Sequence, residues 1–107
     1  MKILFDHNVP YGLRLGLTSH TVWLADEMGW AEVSNGELLR AAEAAGFEVM
    51  VTCDQSISYQ QNLRGRTLAL VVLDTNNWQT IKKQPLVIAA AVDRATPGSF
   101  ELLSLRV

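Results

Sequence analysis

The sequence predicts an α/β fold, a three-layer sandwich built around a mostly parallel sheet, and two observations carry that expectation. Short, continuous apolar runs such as KILF, VMVT and LALVVL alternate with segments of helical character. Strands that are apolar on both sides of the pleat belong to parallel sheets covered on both faces. At 107 residues there is room for one core, so 1–107 is read as a single domain.

Taken in order, Lys2–Phe5 is a short buried strand. Asn8-Val9-Pro10 follows, and Pro10, with its fixed φ and missing N–H, suits the first turn of a helix reaching about Leu17. Thr21–Leu24 reads as a second strand, and Ala25–Gly29 as a helical turn closed by glycine. Ser34-Asn-Gly-Glu37 is a capping box ahead of LLRAAEAAG. Leu38, Leu39, Ala42 and Ala45 then share one helical face, Arg40 and Glu43 lie opposite, and Gly46 ends the helix. Glu48–Thr52 is a strand, Gln55–Leu63 a short helix and Thr67–Leu73 a long apolar strand. Pro85 opens PLVIAAAVDRA, a helix apolar almost all round and therefore expected to be well buried. Phe100–Leu105 is a last strand at a sheet edge.

Composition narrows the function classes. Nine Lys and Arg against eleven Asp and Glu leave a net charge of −2. The chain as a whole has no attraction for nucleic acid, so contact with RNA requires a local basic patch or metal ions. Cys53 is the single cysteine, cannot form an internal disulfide, and suits a reducing compartment. The opening apolar run is cut off at Asp6, too short for a signal peptide, and no later stretch approaches a membrane span. A cytoplasmic protein without membrane contact is expected. Three tryptophans and the apolar helix from Pro85 exceed what so small a core hides, so a protein partner or a homodimer is expected as well.

In open parallel sheets, ligands sit beyond the carboxyl ends of the strands. Asp6 follows the first strand, Asp54 the third and Asp74 the fourth, while Glu37 stands at a helix start facing the same rim. Carboxylates gathered at one edge repel one another unless a cation lies among them. Mg²⁺ or Mn²⁺ prefers such hard oxygen ligands and can polarise a phosphodiester and generate hydroxide. Each acid also has a plainer use. Asp54 can cap the helix starting at Gln55, Glu37 can complete the capping box, and Asp74 can serve the Thr-Asn-Asn turn. Asp6 has no such use, because any cap of the Pro10 helix falls near Asn8 or Val9.

His7 and His20 share no metal-ligand spacing and read as surface residues; Cys53 has no evident His partner and reads as core. The tryptophans read as packing or partner-surface residues. Tyr59, Gln60, Gln61, Asn62, Arg64 and Arg66 combine one ring, three amides and two guanidinium groups. They read either as an RNA-facing strip or as a solvated helix end. A glycine-rich phosphate loop, GxGxxG and the G-x-S-x-G elbow are all missing. No Lys follows Leu73 as a phosphoreceiver would require.

The same residues carry a resemblance. KILFDHNVP resembles the K-I-L-x-D-E-N-x-P opening of the small stand-alone bacterial PIN-like nuclease family. GWAEVSNGELLRAAEAAGFEVMVTCDQ resembles that family's G-x-x-D-x-E-[IL]-L-x-x-A…V-[IL]-V-T-x-D stretch. The likeness runs in order over most of the chain. It implies a PIN-like fold and a metal-dependent ribonuclease related to VapC-type toxins, often encoded beside a small antitoxin. Asp6 matches the first-strand acid, Asp54 the T-x-D acid and Glu37 the helix glutamate. His7 stands where glutamate is usual, Asn35 where aspartate is usual and Ser56 where a second aspartate often follows. Asn35 then offers a metal only a neutral amide oxygen. A subgroup shares DQ-x-x-x-YQQN-L, which runs here from Asp54 to Leu63. Two functions follow as expectations. One is a Mg²⁺- or Mn²⁺-dependent endoribonuclease toxin with Asp6, Glu37 and Asp54 as catalytic ligands. The other is a degenerate PIN-like module that binds RNA or a protein without cleaving.

Overall fold

In the computed structural model, which describes residues 1–57 and 65–106, strand and helix alternate along the chain as the apolar runs require. The strands are β1 Lys2–Phe5, β2 Thr21–Leu24, β3 Val49–Thr52, β4 Ala69–Leu73 and β5 Phe100–Leu103. Among the described residues the α-helices are α1 Asn35–Ala44, α2 Trp78–Ile81 and α3 Pro85–Asp93. The five strands make one sheet in the order β2-β1-β3-β4-β5, and every neighbouring pair is parallel. Phe5 is in register with Val51, and Leu73 with Leu103, so the carboxyl ends of the central strands open onto one rim.

The pleat sends alternate residues to two separate cores. Ile3, Phe5, Val49, Val51, Val71 and Leu73 pack under α2, α3 and the 3-10 helix Tyr11–Gly16, meeting Leu13, Ile81 and Ile88. Leu4, Met50, Leu70 and Val72 pack on the other side against Leu38, Leu39 and Ala42 of α1. Both faces of β3 and β4 are therefore dry, which is why VMVT and ALVVL are apolar throughout.

Local rules hold at most element ends. The Ser34 hydroxyl accepts from the Glu37 amide at 3.4 Å, and Gly46, with φ 86°, stops α1 in a conformation that glycine enters without a Cβ penalty. Several details differ from the sequence reading. The Pro10 segment winds as a 3-10 helix with no side-chain cap. The third and fourth strands begin at Val49 and Ala69, later than expected. The Thr-Asn-Asn stretch leads into α2, whose start is capped by Asn77 accepting from the Gln79 and Thr80 amides.

The largest departure is α3. Ile88, Ala91 and Val92 are buried, but Leu86, Val87 and Ala90 face outward, because the sheet covers only one side of the helix. An all-apolar helix on the outer layer keeps an apolar outer face. The helix expected over Gln55–Leu63 falls largely outside the described residues. No helix among the described residues is long and apolar enough to cross a membrane.

Candidate functional site at the carboxyl rim

Asp6 continues the β1 ladder by one residue, its amide bonded to the Val51 carbonyl at 2.9 Å. That extension tucks its side chain beneath the rim, where it is 3 % exposed. A charge so deep needs partners. Oδ1 accepts from the His7 amide at 2.8 Å and from His7 Nδ1 at 3.0 Å, and Oδ2 accepts from the Thr52 hydroxyl at 2.8 Å. A carboxylate only accepts, so His7 must carry its proton on Nδ1. The imidazole itself stays largely in solvent, with 60 % of its side chain exposed.

Thr52 joins the two acids. While donating to Asp6, its oxygen accepts from the Asp54 amide at 3.1 Å. Asp54 Oδ1 accepts from the Ser56 hydroxyl at 2.6 Å and the Ser56 amide at 3.0 Å; Oδ2 accepts from Asn35 Nδ2 at 2.8 Å. The Ser56 hydroxyl above all, with the Asn35 amide and the Ser56 N–H, holds the Asp54 carboxyl below the usual carboxylate range against the lift from burial. Without these donors, like-charge repulsion would be expected to lift a carboxyl in such a cluster. The Asn35 bond also brings the start of α1 to the rim. Glu37 lies there, exposed, with its amide on Ser34; among the described residues its carboxylate takes no hydrogen bond, so the capping box is half made.

The remaining sequence candidates separate. Asp54 accepts from the Ser56 amide in the turn after β3 while sharing the rim with Asp6; the helix it was expected to cap lies largely outside the described residues. Asp74 serves neither turn nor cluster: its Oδ1 accepts from the Leu105 amide at 2.9 Å and ties the end of β5 to β4. Cys53 is half-buried, its amide donating to Asn8 Oδ1 at 3.0 Å and its sulfur facing the Thr75 carbonyl at 3.4 Å. Burial and the nearby Asp6 charge push its thiol up to about 12, so it is inert at neutral pH. Arg66 sits at the opposite end of the sheet, bonded to Glu43 at 2.8 Å. Tyr59, Gln60, Asn62 and Arg64 lie outside the described residues.

Three contributors were not singled out from sequence as parts of the site. Thr52 bridges the acids, Asn8 pins the Cys53 amide, and His7 orients on Asp6. Thr52 and Asn8 sit inside the two motifs, T-x-D and D-x-N, that pointed to the acids. Neither acid pairs with Lys or Arg among the described residues. Nor do any three His, Cys, Asp or Glu side chains among them stand close enough to hold one ion. Compared with protein-family models, curated proteins and solved structures, the chain matches none.

Proposed function

We propose that this chain is a PIN-like, metal-dependent endoribonuclease of the cytoplasm, the toxin of a pair whose small antitoxin blocks the rim. One observation carries the reading. Asp6 and Asp54 are joined through Thr52 at the carboxyl end of a parallel sheet, and among the described residues only neutral donors and His7 hold them. Two carboxylates without a Lys or Arg counter-ion among the described residues leave negative charge for a cation from outside. The donors are hard oxygens, which fits Mg²⁺ or Mn²⁺.

Asp6 and Asp54 would hold the ion, and Mg²⁺ commonly takes only one or two carboxylates and completes its shell with water and substrate phosphate. When bound, such an ion lowers the pKa of a water and offsets charge on the phosphodiester. The chain does the positioning. Thr52 fixes the spacing of the acids, Asn35 and Ser56 keep Asp54 ionised, and Glu37 supplies a further exposed carboxylate. Tyr59, Gln60, Asn62 and Arg64, following Asp54 in sequence, would lie against RNA, with Arg66 engaged by Glu43.

The alternative, a module that binds RNA or a protein without cutting, is favoured by the saturation of both acids with protein donors. Incubating an unstructured RNA with the protein in Mn²⁺, in Mg²⁺ and in chelator separates the two. The nuclease reading expects cleavage in metal only, and a loss of about a hundredfold or more in Asp54→Asn. RNA retained in a gel shift but uncut by the wild type would establish the binding module instead.

A further inference from the structure

The 3-10 helix, α2 and the outer side of α3 form a second feature, distinct from the rim. Their inner residues seal one core, but the outer surface stays apolar: Leu15 and Leu86 are each 81 % exposed and Tyr11 77 %. A Cβ on Gly12 would fall 2.9 Å from the Trp78 ring, so the indole lies against bare backbone. Trp78 thereby divides the surface into two clefts of about 300 and 280 Å³. Pro10 and Tyr11 border the first; Leu15, Pro85 and Lys82 border the second. Lys82 at this edge and Lys83 next to it in sequence are exposed and, among the described residues, pair with no acid.

We propose that this face seats an acidic amphipathic helix of a partner protein. Leu86 and Ala90, one turn apart on the outside of α3, form a ridge against which a second helix can pack. The clefts on either side of Trp78 take apolar side chains spaced along that helix. The lysine edge selects acidic residues beside the apolar stripe, although the whole chain carries −2. Asn8 and Thr75 both bond Cys53 beside the rim and lead within three residues to Tyr11 and Trp78, so a seated helix would lie alongside the rim. The proposal stands whether or not the rim cuts RNA.

The test uses a fluorescein-labelled helical peptide of about 16 residues, with leucines at i, i+4, i+7 and i+11 and glutamates elsewhere. Titrated with the full chain, it should bind and shift the Trp78 indole signal while those of Trp23 and Trp30 stay in place. Leu15→Asp and Leu86→Asp, at sites too exposed to disturb folding, should each weaken binding about tenfold or more. Lys82→Glu should weaken it about threefold and flatten its salt dependence. Equal binding of a lysine-for-glutamate peptide overturns the proposal, as do shifts confined to other residues or no binding at millimolar peptide. A dimer in sedimentation that Leu86→Asp dissolves would overturn it too, by giving the face to a second copy.

Discussion

At the amino end of the sheet, Glu43 meets the Arg66 guanidinium at 2.8 Å and accepts from the Thr67 amide at 2.7 Å and the Thr67 hydroxyl at 3.0 Å. At the carboxyl end, Asp6 and Asp54 accept three hydrogen bonds each, from His7, Thr52, Ser56 and Asn35, with neither Lys nor Arg among these partners. Both ends satisfy their acids, but only one neutralises them. The amino end thus uses its carboxylate to close the loop entering β4 onto α1. The carboxyl end leaves its carboxylates without a Lys or Arg partner among the described residues, the arrangement that the proposed cation site needs.

Removing the acids breaks this comparison unequally. Asp6→Ala leaves the buried Thr52 hydroxyl and the His7 amide without an acceptor, and should lower stability by about 3 kcal/mol, read from the urea midpoint. Glu43→Gln should cost less, about 1–2 kcal/mol, because its partners lie near water. Burial pushes the Glu43 carboxyl up, but the Thr67 amide and hydroxyl, Arg66 and the Leu68 amide together hold it below the ordinary range. A depressed folded-state pKa stabilises above the unfolded value, and that stability is lost as pH falls through the folded value. Wild type and Glu43→Gln should therefore converge in melting temperature on acidification, and diverge again towards neutrality.

Cys53 sharpens the contrast because its thiol senses Asp6. Burial is the larger cause of its high value and the Asp6 charge the smaller. In Asp6→Asn, the pH profile of Cys53 alkylation should move to lower pH, and an unmoved profile would contradict the coupling between the two groups. The smallest effect is expected from Asn35→Ala, which removes one neutral donor and should cost about 1 kcal/mol or less. Its informative readout is the Asp54 carboxyl titration by NMR, which should move upward. Since Asp54 is also depressed, it stabilises above its unfolded value, and the variant should lose part of that stabilisation at neutral pH.

Much of the fold was legible in the sequence because periodicity, Pro10, Ser34 and Gly46 act locally. All five strands and the capped α1 lie where the apolar runs and start signals put them, to within two residues at their starts. The exposure of α3 was not legible, since an apolar helix in an outer layer and one in a central layer read alike. At the rim, the position of each acid followed from strand ends. Its partners did not: Thr52 bridges to Asp6 across 46 residues and Asn35 reaches Asp54 across 19. The same blindness hid the role of Glu43, which reads as the solvated side of α1 until Arg66 is brought to it by β4.

The retained charge at one end of the sheet is tested most directly by paramagnetic Mn²⁺ added to the ¹⁵N-labelled protein. Sub-stoichiometric Mn²⁺ should broaden the amide signals of His7 and Ser56, the donors to Asp6 and Asp54, and leave those of Thr67 and Leu68 beside Glu43 sharp. Broadening at both ends alike, or none at His7 and Ser56, would contradict a cation site at the carboxyl rim.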